Sequence, residues 1–142
     1  MKLLVSACLM GLCTRYDGQA CPNAQVLALT NRHTLIPVCP EQLGGLPTPR
    51  DPCEIREGRV VSKSGKDMTG AYIEGAEQAL LAYRMTGCEA AVLKRMSPSC
   101  GKGLVYDGSF TNTIVPGNGL LAGLLTGEGI LVLGEDHTDL IA

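Results

Sequence analysis

Short apolar runs alternate with helix-like segments along the chain, and this alternation restricts the possible folds more than any other feature of the sequence. Four runs have the length and the Val, Leu and Ile content of buried strands: residues 1–7, 34–38, 90–94 and 130–133. Three segments between them carry apolar residues at helical density: residues 24–31, 69–86 and 119–125. This order predicts an α/β protein with a mainly parallel sheet and right-handed crossovers. We therefore expect one compact Rossmann-like domain over residues 1–142, with helices on both faces of the sheet.

The predicted helix over residues 69–86 has the clearest pattern in the chain. Gly87 supplies its C-terminal stop. Its apolar positions recur at helical spacing, as Ile73, Ala76, Leu80 and Tyr83. Residues 54–62 predict a small hairpin, because two extended runs flank a Glu-Gly pair. The Gly- and Pro-rich residues 39–53 predict a loop without regular structure.

Charge and hydropathy exclude two classes of partner. The formal net charge of −2 argues against binding to long nucleic acid, and no apolar stretch reaches the roughly 20 residues that cross a bilayer. The segment ending at Cys8 resembles a lipoprotein cleavage box, but the apolar stretch before it is far shorter than the roughly 7 to 15 residues of a signal peptide. We therefore expect a cytoplasmic protein whose cysteines remain thiols unless a metal binds them.

Three of the seven cysteines stand at or just past the end of a predicted strand. Cys8 follows the first strand, Cys39 the second and Cys100 the third. In open α/β sheets ligands bind outside the carboxyl ends of the strands, so the topology predicts that these three thiols meet at that edge. Such an edge is a poor place for core packing. The pattern therefore favours three thiolates that share a metal centre.

The spacing of the cysteines favours iron and sulfur over zinc. Structural zinc sites prefer paired ligands with C-x-x-C spacing, and no such pair occurs in this sequence. The two histidines, His33 and His137, lie far from the three cysteines in sequence. Thiolates without histidine suit an iron-sulfur cluster. Three ligands instead of four would leave one iron open to a substrate.

The motifs around these cysteines resemble those of the thiouracil desulfidase family, long catalogued as a domain of unknown function. The resemblance covers nearly the whole chain. It rests on Val5-Ser6-Ala7-Cys8-Leu9-Met10-Gly11, Arg15-Tyr16-Asp17-Gly18, Pro37-Val38-Cys39-Pro40-Glu41, Gly44-Gly45-Leu46-Pro47-Thr48-Pro49-Arg50, Leu93-Lys94, Ser97-Pro98-Ser99-Cys100-Gly101, Tyr106-Asp107-Gly108 and the glycine-rich residues 117–123.

The resemblance implies a 4Fe-4S cluster held by Cys8, Cys39 and Cys100. The fourth iron would act as a Lewis acid on the sulfur of a thiolated pyrimidine, and water would replace that sulfur with release of sulfide. The expected substrates are 2-thiouracil, 4-thiouracil or 4-thiouridine monophosphate. One alternative remains for the second ligand, because Cys53 borders the same loop as Cys39.

Water attack needs a base, and Glu41 is the carboxylate nearest in sequence to any of the three cysteines. Ser97 is the expected companion, either to orient the substrate or to relay a proton. Both residues also have a simpler interpretation, since a carboxylate can cap backbone N–H groups and a serine before proline can form a turn. Basic residues near the same edge would bind the phosphate of a nucleotide substrate: Arg15, Arg50 and Lys102.

Two other classes of protein remain compatible with these residues. The first is a non-catalytic iron-sulfur or zinc-binding module that acts as a sulfur carrier or redox partner, in which Glu41 and Ser97 only shape a loop. The second is a metal-free thiol protein whose cysteines pack as small hydrophobic side chains.

Overall fold

The computed structural model describes residues 1–142. Its strands are β1 Lys2–Ser6, β2 Thr34–Val38, β3 Cys53–Arg56, β4 Arg59–Ser62, β5 Ala90–Leu93, β6 Leu104–Tyr106, β7 Ile114–Pro116 and β8 Leu131–Gly134. Its α-helices are α1 Ala24–Ala28, α2 Pro40–Leu43, α3 Thr69–Thr86 and α4 Leu120–Gly127. Short 3-10 helices cover Ala7–Met10, Leu29–Asn31 and Glu135–Leu140.

Four strands form one parallel sheet in the order β2-β1-β5-β8. In the register of β1, Leu4 pairs with Ile36 on one side and with Ala91 on the other. Helix α1 connects β1 to β2, α3 precedes β5, and α4 connects β5 to β8. The α/β Rossmann-like prediction with a mainly parallel sheet is therefore confirmed.

Both faces of the sheet are buried, and each has its own hydrophobic core. On one face Leu4 and Leu93 pack with side chains of α3 and α4. On the other face Leu3 and Val5 pack with Val26 of α1. Successive side chains of a strand point to opposite faces, so a strand covered on both sides needs a continuous apolar run. The apolar runs of the sequence thus follow from helices on both faces.

Helix α3 begins and ends at the predicted residues. It stops at Gly87, which has a left-handed φ of 74° and whose N–H bonds to the carbonyls of Arg84 and Tyr83. The prediction that Ile73 lies on the buried face is wrong, because Ile73 is 43% exposed. The buried face of α3 contains Tyr72 and the residues one turn further along the helix. Ile73 follows Tyr72 directly, and successive side chains of a helix point about 100° apart, so Ile73 lies outside this face.

Outside the main sheet, one predicted element is confirmed and two elements differ from the prediction. The predicted hairpin is confirmed as β3 and β4, which pair antiparallel from Cys53–Ser62 to Arg56–Arg59. The prediction that residues 39–53 lack regular structure is wrong at α2, a single turn that starts with Pro40. Proline fits this first position, where its missing N–H is not needed. A second small hairpin, β6 with β7, has no counterpart in the predictions.

None of the helices combines the length and the hydropathy that a bilayer crossing requires.

Candidate functional site

A cavity of about 560 Å³ lies at the carboxyl ends of β1, β2 and β5. The thiols of Cys8, Cys39 and Cys100 all line this cavity. Glu41 and Ser97 line it as well. Five residues from three separate loops therefore share one wall, because parallel strands deliver their following loops to the same edge of the sheet.

Each of the three cysteines is fixed by the local structure that follows its strand. Cys8 lies in the 3-10 turn after β1, which ends at Gly11 with φ of 100°. Cys39 directly precedes α2, and its thiol donates to the carbonyl of Thr14 at 3.6 Å. Cys100 ends a tight turn that begins at Ser97 and is buried. The positions of the sulfurs are thus set by strand ends and short turns.

The local environment of Cys8 and Cys100 favours the neutral thiol when no cation is near. Burial raises the pKa of Cys100 to about 12, although hydrogen bonds from Ser6 and Ser99 oppose the change. Burial also raises the pKa of Cys8 far above its ordinary value, and the neighbouring Cys21 and Cys100 add to the effect. A coordinated metal reverses this preference because it binds the thiolate.

The side chains at the cavity that could bind a metal are thiols and carboxylates, and no histidine is among them. His33 bonds to the N-terminus and to the carbonyl of Ile141, and His137 lies beside Asp136; neither lines the cavity. No group of three or more His, Cys, Asp or Glu side chains converges closely enough to hold a single metal ion. The three cysteines thus line the cavity without forming a site for a single ion. A cluster suits this arrangement, since each thiolate of a four-iron cluster binds a different iron.

The other four cysteines differ in their relation to the cavity. Cys53 lines it, and its thiol donates to the carbonyl of Asp51 at 3.7 Å. Cys21 lies beside the Cys8 thiol without lining the cavity. Cys13 is exposed, and Cys88 is buried beside Thr86, before the amino end of β5. Cys53 is therefore the only further thiol at the cavity.

Glu41 is held at both carboxylate oxygens. Oε1 accepts a hydrogen bond from Arg50 Nε at 2.9 Å, and Oε2 accepts one from Ser99 Oγ at 2.9 Å. The side chains of Arg50 and Glu41 are only 7% and 12% exposed. Burial alone would lower the pKa of Arg50, but the Glu41 carboxylate more than offsets this and raises it. Arg50 is therefore held as a cation beside Glu41, and the two side chains are fixed in direction.

The remaining N–H groups of Arg50 are also engaged. Nη1 donates to the carbonyl of Pro47 and to Thr48 Oγ1, at 3.3 and 2.9 Å. Nη2 donates to the carbonyl of Thr14 at 2.8 Å and lies 3.8 Å from Cys39 Sγ. A guanidinium has five N–H donors, and all of them point at partners within the protein.

Ser97 is connected to Glu41 through Ser99. The Ser97 oxygen accepts the backbone N–H groups of Ser99 and Cys100, both at 3.1 Å, and lies 2.9 Å from Ser99 Oγ. Because two N–H groups occupy its lone pairs, the Ser97 hydroxyl donates to Ser99, and Ser99 in turn donates to Glu41. Ser99 is 1% exposed. The two serines and the carboxylate form one chain of hydrogen bonds.

The basic residues predicted to bind phosphate lie in three different settings. Arg15 lines the cavity and forms an ion pair with Asp17 at 3.2 Å, with its side chain one-third exposed. Arg50 lines the cavity but is buried under Glu41. Lys102 is exposed, contacts Thr126 and does not line the cavity. Lys63, which the sequence did not single out, lines the cavity and forms no ion pair.

Sequence reasoning missed two residues beside Glu41. Ser99 stands inside the motif that contains Ser97 and Cys100, so its place in the turn was a usable signal. Tyr72 is fully buried on α3, and its hydroxyl lies close to Glu41 and Cys53. Burial and these two neighbours raise the pKa of Tyr72 far above its ordinary value, so the hydroxyl remains a donor. In the sequence, Tyr72 is indistinguishable from a core residue of an amphipathic helix.

The fold and the site define an α/β protein with a thiol-lined cavity and an anchored carboxylate at the carboxyl edge of its sheet. The chain belongs to the 2-thiouracil desulfurase family, whose model matches residues 3–137. This confirms the resemblance inferred from the motifs.

Two relatives match over almost their whole length. The uncharacterized protein YbbK of Bacillus subtilis (strain 168) is 37% identical over 145 aligned residues, which cover 95% of this chain and 96% of that protein. A solved structure of the 4Fe-4S-dependent thiouracil desulfidase TudS is 42% identical and superposes with a TM-score of 0.89. That match covers 99% of this chain and 94% of the other.

Proposed function

We propose that this protein is a 4Fe-4S-dependent desulfidase that replaces the sulfur of a thiolated pyrimidine with oxygen. The observation that carries the proposal is the single cavity lined by three thiols and by a carboxylate fixed at both oxygens. The relative of 42% identity, named as a 4Fe-4S-dependent thiouracil desulfidase, supports it. The overall change is thiocarbonyl plus water to carbonyl plus hydrogen sulfide.

Cys8, Cys39 and Cys100 are the residues that would hold the cluster. Each follows a different strand, and all three line the cavity. When bound, the cluster would supply an iron with an open coordination position, a Lewis acid for the thiocarbonyl sulfur. Cys53 also lines the cavity, but it begins β3, whereas Cys39 directly follows β2 of the parallel sheet, which supports Cys39 as the second ligand.

Glu41 would act as the general base. Each carboxylate oxygen already accepts one hydrogen bond, and each keeps a second lone pair that can accept a proton from water. Arg50 and Ser99 fix the direction of these lone pairs. Because the base is already held in one orientation, less conformational entropy is lost when the reactive geometry forms. We infer that the water is aligned at Glu41 before it attacks the ring carbon.

The bonds from Ser97 through Ser99 would hold Glu41 in the orientation that the reaction needs. Ser97 Oγ lies 2.9 Å from Ser99 Oγ, and Ser99 Oγ lies 2.9 Å from Glu41 Oε2. Glu41 would accept one proton of water as the oxygen attacks the ring carbon and give it to the departing sulfur. The second proton would leave the new hydroxyl as the carbonyl forms and reach the sulfur through the same carboxylate. Both protons of water would thus end on hydrogen sulfide, and Glu41 would return to its ionised form.

The free base and the nucleotide remain two forms of the proposed substrate: 2-thiouracil, 4-thiouracil or 4-thiouridine monophosphate. We propose that a phosphate would bind Arg15 and Lys63, because both line the cavity and Lys63 lacks an acidic partner. Arg50 is committed to Glu41 and Lys102 lies away from the cavity, so neither is retained for this role. The net charge of −2 accords with a small-molecule substrate and not with long nucleic acid.

Anaerobic purification followed by an activity assay tests this function. We expect a brown protein with about four iron and four sulfide per chain, which releases sulfide from 2-thiouracil as the thiouracil absorption disappears. The matched variant is Glu41→Gln, which keeps the shape of the side chain and the cluster but should lower kcat by about 100-fold or more. A cluster-containing wild type that releases no sulfide would identify a carrier or redox module. A single bound zinc, or no metal, would exclude the desulfidase.

A further inference from the structure

The loop of residues 107–113, which joins β6 to β7, brings an aromatic ring and an amide to the wall of the cavity. Phe110 and Asn112 both line the cavity. Phe110 is the only phenylalanine in the chain. Neither side chain takes part in the thiol set or in the hydrogen bonds that hold Glu41. The proposed chemistry therefore leaves both side chains without a role.

A buried carboxylate holds this loop in place. Glu54 is 9% exposed, and its Oε1 accepts the backbone N–H groups of Gly108 at 3.0 Å and of Phe110 at 3.1 Å. Arg56 donates from Nε and Nη2 to the Gly108 carbonyl at 3.0 and 2.6 Å. Burial of a carboxylate is costly unless its hydrogen bonds are made, and here they are made to the loop backbone. The loop is thus anchored to β3.

The loop backbone is also strained at the two residues that it presents to the cavity. Phe110 has φ of 58° and Asn112 has φ of 60°, both in the left-handed region. Asparagine tolerates this region, whereas a bulky phenylalanine adopts it rarely. Such strain persists only where surrounding contacts enforce it, and it concentrates at functional sites. The anchoring by Glu54 supplies that enforcement.

We propose that Phe110 and Asn112 recognise the pyrimidine ring of the substrate, an inference that rests on the proposed function. The face of the Phe110 ring stacks on the planar base. The Asn112 amide offers one acceptor and one pair of donors, which match the alternating N–H and carbonyl groups along the edge of a pyrimidine. The iron of a bound cluster would select for sulfur and Glu41 would select for water, so neither would distinguish a pyrimidine from another thiocarbonyl compound. The loop supplies that selectivity.

Three tyrosines also line the cavity, and two of them, Tyr72 and Tyr16, have other neighbours. The Tyr72 hydroxyl lies close to Glu41 and Cys53. Tyr16 lies beside Arg15, whose guanidinium carbon is 5.8 Å from its ring centroid. Phe110 carries no polar group that needs a partner, so its position at the cavity is explained by contact with an apolar, planar surface.

The test uses the cluster-containing protein and four variants. Phe110→Leu removes the ring but keeps apolar volume, and Phe110→Tyr keeps the ring. Asn112→Gly removes the amide while allowing the same left-handed φ. Thr111→Ala is the control, because Thr111 lies between the two residues, is exposed and does not line the cavity. The measurements are the Kd for uracil by calorimetry, KM and kcat for 2-thiouracil, and iron and sulfide per chain.

We expect Phe110→Leu and Asn112→Gly each to raise the uracil Kd and the 2-thiouracil KM by about tenfold, the order of one lost base–aromatic stacking contact. Phe110→Tyr and Thr111→Ala should match the wild type, and all variants should keep the cluster. An active wild type whose Phe110→Leu and Asn112→Gly variants keep Kd and KM would overturn the loop assignment alone. An equal loss in Thr111→Ala would overturn it too. A wild type that neither binds uracil nor releases sulfide would instead overturn the proposed function.

Discussion

Ser99 Oγ lies 2.9 Å from Glu41 Oε2, although the two residues are 58 positions apart in sequence. The bond joins the turn after β5 to the single helical turn after β2. It lies under the cavity wall, where Ser99 is almost completely buried. Hydrogen bonds in such an environment are stronger than in water because the local dielectric is low. The loops after two separate strands are thereby held together beside the cavity.

Ser99→Ala removes the link between Ser97 and Glu41 without adding volume. We expect kcat for sulfide release to fall by about 10- to 100-fold, because a catalytic group that loses its orientation can cost up to about 100-fold, while KM stays near that of the wild type. Steady-state kinetics on cluster-loaded protein measure both constants. The matched control is Ser62→Ala, a buried serine outside the cavity that bonds to Ser64 and to the Lys66 N–H. If Ser99→Ala keeps the wild-type kcat, the bond from Ser99 has no part in orienting Glu41.

Arg50→Ala leaves the Glu41 carboxylate buried without its cation. Breaking a buried ion pair costs about 3 to 5 kcal/mol of the free energy of unfolding, and we expect kcat to fall in addition. Arg50→Lys should recover part of the stability but little activity, because an ammonium cannot reproduce the five-donor fork. Denaturation and kinetics separate the two effects.

The same Arg50 variants test whether this residue binds phosphate. Because all five N–H groups point at protein partners, we expect the loss of kcat/KM to be equal for 4-thiouracil and for 4-thiouridine monophosphate. A loss confined to the nucleotide would assign Arg50 to the substrate and not to Glu41.

Substitution of single cysteines should divide them into two groups. We expect Cys8→Ser, Cys39→Ser and Cys100→Ser to lose most of the iron, because a serine oxygen is a poor substitute for a thiolate at iron. Cys13→Ser and Cys88→Ser should keep about four iron per chain, since neither lines the cavity. Iron analysis and the visible absorption of anaerobic protein provide the readout. Cys53→Ser decides the remaining alternative, because retention of the cluster there excludes Cys53 as a ligand.

The structural features that could be predicted from the sequence are those that depend on residues close together in the chain. The strand ends that carry Cys8 and Cys39 were readable because a short apolar run stops at each of them. The bounds of α3 were readable because apolar spacing and Gly87 agree over five turns. Strand ends then place the cysteines by topology alone, so the shared cavity follows without any knowledge of contacts.

The remaining features depend on contacts between distant parts of the chain. The bond between Ser99 and Glu41 spans 58 residues, and the one between Glu54 and Gly108 spans 54. No local pattern records such pairs. The strands of the hairpin β6–β7 have three residues each, too few to show a period of two. Ile73 was misplaced because spacing gives a face of the helix but not the width of the surface that covers it.

Arg15 and Lys63 provide a test for the nucleotide form of the substrate. We expect the double variant Arg15→Ala and Lys63→Ala to raise KM for 4-thiouridine monophosphate by about tenfold or more, since each would contribute a charged hydrogen bond to phosphate. KM for 4-thiouracil should remain unchanged. Lys102→Ala, at an exposed lysine away from the cavity, is the control. Equal effects on both substrates would contradict a phosphate site.

Gly75 sets the position of Glu41 from the opposite side of α2. A Cβ at Gly75 would overlap the backbone carbonyl of Pro40, and one at Gly44 would overlap the carbonyl of Ala71. Helices α2 and α3 therefore touch through two glycines, and α2 carries Glu41 at its first turn. We expect Gly75→Ala to push α2 away from α3, to cost about 1 to 3 kcal/mol of the free energy of unfolding, and to lower kcat by displacing Glu41.

Gly70→Ala is the matched control in the same helix, because a Cβ at Gly70 meets no atom within 4 Å. It should raise stability by up to about 1 kcal/mol, since alanine is the better helix former, and leave kcat unchanged. Chemical denaturation and steady-state kinetics of the two variants measure both quantities. If Gly75→Ala behaved like Gly70→Ala, the close contact between the two helices would have no part in holding the carboxylate. Loss of kcat in Gly75→Ala with the cluster intact would show that packing behind α2 places the base.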